Sequence, residues 1–377
     1  MDTETIRETL VLRVPTRDPG DVASLEALFD SGAIAPEEVV AIFGKTEGNG
    51  CVNDFTRAYS VDMLKYMFAE RLGCTRQEVA ERVAMVMSGG TEGGLSPHLL
   101  IVGIREHTAG QPVSGLPTLA VGTAFTRDFL PEEQGRMTMV HETARAVERA
   151  MAAAGIENID DVHFVQVKCP LLTSERIADA HGRGQHVITE DTYASMGYSR
   201  GASALGAALA LGELAEDQIT PDAIGTDWSL FSGRASASAG IELLNCEIIV
   251  LGNSTKWAGD KVVAHDVMQD TIDSPALWRA LAGAGLSSPP QLDDATRPRL
   301  DAVLCKAEPS TTGEIRGNRH IMIDDSDINA TRHARAVVGG MVAAAVGRTD
   351  VFVSGGAEHQ GPDGGGPVAV IATRTAS

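Results

Sequence analysis

Three pentads of one form, Ser-x-Gly-x-Glu, recur along this chain: Ser88-Gly89-Gly90-Thr91-Glu92, Ser238-Ala239-Gly240-Ile241-Glu242 and Ser354-Gly355-Gly356-Ala357-Glu358. Each follows an apolar run or a small-residue turn, at 83–87, 232–237 and 351–353. A serine hydroxyl becomes a nucleophile when a neighbouring base takes its proton. Glycine beside it lets backbone N–H groups approach a developing oxyanion. Lysine supplies the base. The chain holds six lysines against 25 arginines, and three of the six, Lys45, Lys168 and Lys306, close apolar segments of strand character at 39–43, 162–167 and 302–305. A charge there is costly without a partner or a task. Burial and nearby guanidinium groups lower such an amine's pKa and fit it for general-base work, and Ser-Lys is a recognised nucleophile pair.

The elements that must position these groups repeat as well. Each third of the chain reads strand ending in Lys, loop, arginine-opened helix, glycine stop, strand delivering the pentad, closing strand. Arg57 precedes Gly73 by 16 residues, while Arg200 precedes Gly212 and Arg335 precedes Gly347 by 12. That match selects Arg335 over Arg332. Helices are expected at 58–71, 137–154, 201–214, 275–285 and 331–346. Repeats of this kind decide a fold before any single element does. The expected architecture is α/β, with three structurally similar units at 1–105, 112–252 and 257–377, joined by linkers at 110–115 and 253–259. Arranged with pseudo-threefold symmetry around one centre, they would bring together three lysines, three arginines and three serines. Such a cage suits a small ligand that is anionic or rich in carbonyl oxygens and itself roughly threefold.

Bulk properties narrow the field. A net charge of −20 over 377 residues argues against nucleic acid and anionic membrane surfaces, both of which need basic patches. There is no apolar run of 18 residues, and the start Met1-Asp2-Thr3-Glu4 has no apolar leader, so a cytoplasmic protein without a membrane span is expected. Five cysteines without a CxxC pair read as reduced thiols. The scattered histidines 98, 181, 186, 320, 333 and 359 form no HxH or HExxH pattern and read as surface or capping residues. The dyad chemistry needs no catalytic cofactor.

Longer motifs carry a family resemblance. The runs 44–50 (Gly-Lys-Thr-Glu-Gly-Asn-Gly) and 52–57, Ser195 to Ser203, the pentad continuing as Ile241-Glu242-Leu243, Lys306-Ala307-Glu308-Pro309, and Ser354 to Pro362 are similar to the ring-opening amidohydrolases, the family of cyanuric acid hydrolase and barbiturase. The resemblance covers essentially the whole chain. It implies a threefold α/β fold and hydrolytic opening of a cyclic amide, cyanuric acid giving carboxybiuret, with the first-repeat run closer to cyanuric acid hydrolase. Carried over, Ser238 is the nucleophile and Lys168 its base. Arg57, Arg200 and Arg335, with Ser88-Gly89, Ser238-Ala239 and Ser354-Gly355, would hold the substrate carbonyls. Lys45 and Lys306 would orient or polarise. The resemblance further implies a structural Mg²⁺ or Ca²⁺ held by Glu308 and the carbonyls of Ala357, Gln360, Gly361, Pro362 and Gly365, and a homotetramer. A glycine-rich turn of carbonyls suits such a hard cation. Two rival readings stand beside it: barbiturase, and a non-catalytic protein that binds small cyclic imides.

Overall fold

The apolar runs of each repeat assemble into one four-stranded sheet, and the three sheets share a strand order. The computed structural model describes residues 5–107 and 115–375. The first sheet comprises β1 (Ile6–Pro15), β2 (Val39–Thr46), β3 (Ala84–Gly89) and β4 (His98–His107), ordered β3-β2-β4-β1. The second comprises β5 (Thr118–Phe125), β6 (Val162–Pro170), β7 (Ala235–Gly240) and β8 (Glu247–Ser254), ordered β7-β6-β8-β5. After β9 (Trp257–Ala258), which adds a short fifth strand to the first sheet beside β1, the third comprises β10 (Lys261–Met268), β11 (Leu300–Ala307), β14 (Phe352–Gly355) and β15 (Gly366–Thr373), ordered β14-β11-β15-β10. A two-stranded hairpin of β12 (Glu314–Ile315) and β13 (Asn318–Arg319) lies between β11 and β14. Even the irregularities recur. The ladders β2–β4, β6–β8 and β11–β15 each skip one residue near the start, at Val40, His163 and Asp301.

Helices follow the same plan. The first unit has α1 (Ala23–Asp30), α2 (Phe55–Leu72) and the short α3 (Arg76–Ala80). The second has α4 (Met137–Ala154), α5 (Ser174–Gly182) and α6 (Thr192–Ala210), and the third α7 (Ser274–Gly283) and α8 (Ala330–Val346). Gly73, Gly155 and Gly347 stop α2, α4 and α8 in the left-handed region at φ 64°, 65° and 69°, where a Cβ would be strained.

Alternation along the strands decides what faces the centre. Ala41, Phe43, Ala84 and Val86 belong to a core shared with the second and third sheets. Their neighbours Ile42, Met85 and Met87 pack outward with α1 and α2. In the third sheet Ala302, Leu304 and Phe352 point to the shared core, while Val303, Cys305 and Val353 join α7 and α8. Phe43 meets Phe352 edge to face with ring centroids 5.5 Å apart. Continuing the period of two puts Lys45, Ser88, Lys306 and Ser354 on the inner face.

Several expectations change. The α6 helix begins at Thr192, because Asp191 caps it by accepting the N–H groups of Tyr193 and Ala194, so Arg200 lies in mid-helix. The polar stretch before it folds as α5, and β10 was not expected as a strand. The segment 253–259 is no free linker. It ends β8 and supplies β9, which pairs in parallel with β1. The linker expected at 110–115 lies, except for Gly115, outside the described residues.

Candidate active site

Each lysine of the repeat stands opposite its serine across a parallel strand pair: Lys45 with Ser88, Lys168 with Ser238, Lys306 with Ser354. All six are buried. Each amine also leaves its own unit. Lys45 Nζ donates to Val353 O at 2.6 Å, Lys168 Nζ to Met87 O at 2.6 Å and Lys306 Nζ to Ala237 O at 2.8 Å. Every one of those carbonyls belongs to the residue just before a pentad serine, so the lysines close a ring from first unit to third, third to second and second to first.

The arginines run the opposite way. Arg200 of the second unit grips Glu358 of the third through two hydrogen bonds of 2.7 and 2.6 Å, and Arg335 of the third grips Glu92 of the first through two of 2.7 Å. The glycine at the third pentad position makes room for this. A Cβ on Gly356 would fall 2.3 Å from Arg200 Nε, and one on Gly90 would fall 2.5 Å from Arg335 Nη2 and 2.3 Å from Glu92 Oε1. Both glycines also have positive φ, 88° and 80° for Gly90 and Gly356. Gly89 and Gly355 are equally hemmed in, by Asp54 and by Thr331 with Arg335.

The third corner departs from this pattern. Arg57 donates instead to Ala239 O at 3.0 Å and Cys51 O at 2.6 Å, and its buried Nε has no partner among the described residues. Glu242 pairs with Lys168 at 2.9 Å. Lys45 and Lys306 also donate to their own serines, at 3.1 and 3.2 Å, whereas among the described residues no hydrogen bond joins Lys168 to Ser238. Ser238 is therefore free of the contact that occupies Ser88 and Ser354.

Burial depresses all three lysines. Lys45 falls from 10.5 to about 7 through burial and the Arg335 charge, Lys306 falls well below 10.5 through burial and Arg200, and Lys168 falls through burial despite Glu242. Each lysine thus gives up its proton more readily than an ordinary lysine, beside its serine.

The structure brings each lysine beside its serine, with Arg335 near Lys45, Arg57 near Lys168 and Arg200 near Lys306. The pentad glutamates Glu92, Glu242 and Glu358 were not assigned a role, although their fixed fifth position was the available signal. Two histidines read as surface or capping residues are buried. His98 lies in β4 with its pKa lowered to about 4 by burial, and His359 accepts from Gly225 N at 2.7 Å and donates to Leu230 O at 2.6 Å.

Glu308 lies against the third pentad. It accepts from Gly356 N at 2.8 Å and from Thr331 Oγ1 at 3.3 Å, and burial together with the Glu358 carboxylate raises its pKa to about 7. Ala357, Gln360, Gly361, Pro362 and Gly365 occupy the turn between β14 and β15. The carbonyls of Ala357 and Pro362 each accept one N–H, from Gln360 and Gly365, and keep a second lone pair. A carboxylate with neutral carbonyl oxygen donors is the kind of set that would suit a hard cation.

Known proteins share this sequence and this fold. Residues 10–373 match the family described as amidohydrolase ring-opening protein. The cyanuric acid amidohydrolase of Ectopseudomonas oleovorans (strain CECT 5344) is 56% identical over 364 residues, covering 97% of this chain and 99% of that protein. The cyanuric acid amidohydrolase of Enterobacter cloacae is 56% identical over 369 residues, with coverage of 97% and 99%. A solved cyanuric acid hydrolase, described as an evolutionary innovation by structural concatenation, superposes with a TM-score of 0.94 at 51% identity, covering 98% of this chain and 100% of that one. The cyanuric acid hydrolase of A. caulinodans gives 0.90 at 53% identity, with coverage of 98% and 100%. With its threefold cage and a family match over nearly its full length, the chain belongs to the ring-opening amidohydrolases.

Proposed function

We propose that the protein hydrolyses cyanuric acid to carboxybiuret, with Ser238 as nucleophile and Lys168 as its base. The observation that carries this reading is the departure of the second unit's corner from the other two. There alone the serine is released from its lysine, and the lysine is paired with a carboxylate. A cyclic trione presents three carbonyl edges to a cage with three arginines and three serines, and the relatives at 56% identity are named for cyanuric acid.

The steps follow from the residues. Neutral Lys168 takes the Ser238 proton as Oγ attacks a ring carbonyl. Backbone N–H groups of the pentads and an arginine stabilise the oxyanion. The ring C–N bond breaks, Lys168 returns its proton to the departing nitrogen, and a Ser238 ester remains. Lys168 then activates a water, which releases the carboxylate and restores the hydroxyl. Lys45 and Lys306, each already donating to its serine, hold the other two carbonyl edges in place. Arg57, Arg200 and Arg335 supply the surrounding positive charge.

The reading includes a structural hard cation, Mg²⁺ or Ca²⁺, at Glu308 and the β14–β15 turn. It would offset the carboxylates of Glu308 and Glu358. It also includes a cytoplasmic homotetramer, for which the exposed Ile321, Ile323 and Ile328 offer apolar contact area. Among the described residues no helix is long and apolar enough to cross a membrane. The test is turnover of cyanuric acid and barbituric acid side by side, followed by loss of ring absorbance. Turnover of the triazine is expected. Turnover of barbiturate alone would move the substrate, and binding of either ring without turnover would make the protein a non-catalytic binder.

A further inference from the structure

Between the first and second units lies a cleft of about 540 Å³, separate from the cage. Its outer wall carries Gln77, Glu81 and Arg127, all exposed, and its floor carries Glu242 and Glu247. Glu242 touches the cage directly through its 2.9 Å contact with Lys168. Glu247 stands in register with Lys168 on the neighbouring strand and accepts from Met85 N at 2.7 Å. The Glu242 side chain is only 5% exposed, yet neither of its oxygens has an aligned hydrogen bond among the described residues. Its counterparts Glu92 and Glu358 are saturated by bidentate arginines. The loop that presents it is fixed from below, since Arg176 donates to the carbonyls of Leu171, Ile241 and Leu243. Glu242 is thus a buried carboxylate with one side on the Lys168 amine and the other lining an open cleft.

We propose that this cleft is a second approach to the site, and that Glu242 carries protons between Lys168 and solvent in it. The inference rests on the assignment of Lys168 and Ser238 above. Hydrolysis of one amide C–N bond by one water leaves a carboxylate, an N–H and one proton. That proton passes from the Lys168 ammonium to the Glu242 carboxylate, 2.9 Å away, and then to water in the cleft. The charged groups facing Glu242 are Lys168 on β6, Arg57 on α2, Arg176 on α5 and Glu247 on β8. Burial would raise the pKa of Glu242, but the Lys168 and Arg57 charges outweigh it and keep the group ionised.

The test uses full-length Glu242→Gln and Glu242→Ala beside Ser238→Ala, each checked for folding by thermal melt. Glu242→Gln should lower kcat by about tenfold or more with KM nearly unchanged. It should also move the acid limb of the rate profile to lower pH, because the carboxylate that favours the Lys168 ammonium is gone. Added formate should restore activity to Glu242→Ala in proportion to its concentration, entering by the cleft. Folded Glu242 variants with wild-type kcat and pH profile, or slow variants that formate fails to rescue, would overturn the proposal while Ser238→Ala stays inactive. An active Ser238→Ala would instead overturn the dyad on which it rests.

Discussion

Lys168 reaches out of its own sheet to the carbonyl of Met87, 2.6 Å away, the residue just before Ser88. Its two counterparts do the same to Val353 and Ala237, so each unit's pentad is braced by the lysine of another. Arginine–glutamate pairs brace two of the three interfaces in the reverse direction. The cage is therefore an inter-unit structure, and its electrostatics cannot be separated from its stability.

Replacing the lysines should reveal both roles. Lys168→Met is expected to cost at least 100-fold in kcat, the range of a lost general base. Lys45→Met and Lys306→Met should act mainly on KM. Each leaves a buried carbonyl without its donor, a loss of about 1–3 kcal/mol. Steady-state kinetics and denaturant melts on the three variants separate these effects.

Glu92→Ala would strand the Arg335 guanidinium at a site where arginine and glutamate side chains are 4% and 7% exposed. Breaking a buried pair from one side costs about 3–5 kcal/mol. A lower denaturation midpoint with an unchanged slope is the expected result, together with weaker substrate binding.

The rate should rise with pH on its acid side. Burial lowers Lys168 from 10.5, and a general base acts in its neutral form. A single-proton limb with its midpoint below 10.5 is expected in kcat/KM. A limb at the ordinary lysine value would mean that the working base is not buried.

Trp257 of β9 is fully buried, donates from Nε1 to Ala154 O at 2.7 Å and lies under the Arg7 guanidinium, 4.4 Å from the ring. It joins the first and second sheets. Trp257→Ala should destabilise the protein by about 3–5 kcal/mol, read from chemical denaturation, with little change in KM.

The cage was legible in the sequence because its residues are repeated at fixed distances from strand ends. Parity along an apolar strand is enough to aim Lys45 and Ser88 at one centre. The partnership of Arg200 with Glu358 was not legible, since the two are joined only when the second and third units dock. The same holds for Arg57, whose hydrogen bonds go to the carbonyls of Cys51 and Ala239 rather than to Glu242. The β9 strand escaped notice because two residues carry no period. The early start of α6 escaped because its first turns, Thr192 to Ser199, show no apolar face and depend on the Asp191 cap.

The pseudo-threefold cage offers three serines, and the account gives the nucleophile's role to one. Ser88→Ala, Ser238→Ala and Ser354→Ala should be assayed together on cyanuric acid, with acid-quenched protein weighed by intact mass spectrometry. Loss of turnover and of any ester adduct in Ser238→Ala, with residual kcat and adduct in the other two, is the predicted result. Near-native turnover by Ser238→Ala, or an adduct mapped to Ser88 or Ser354, would contradict it.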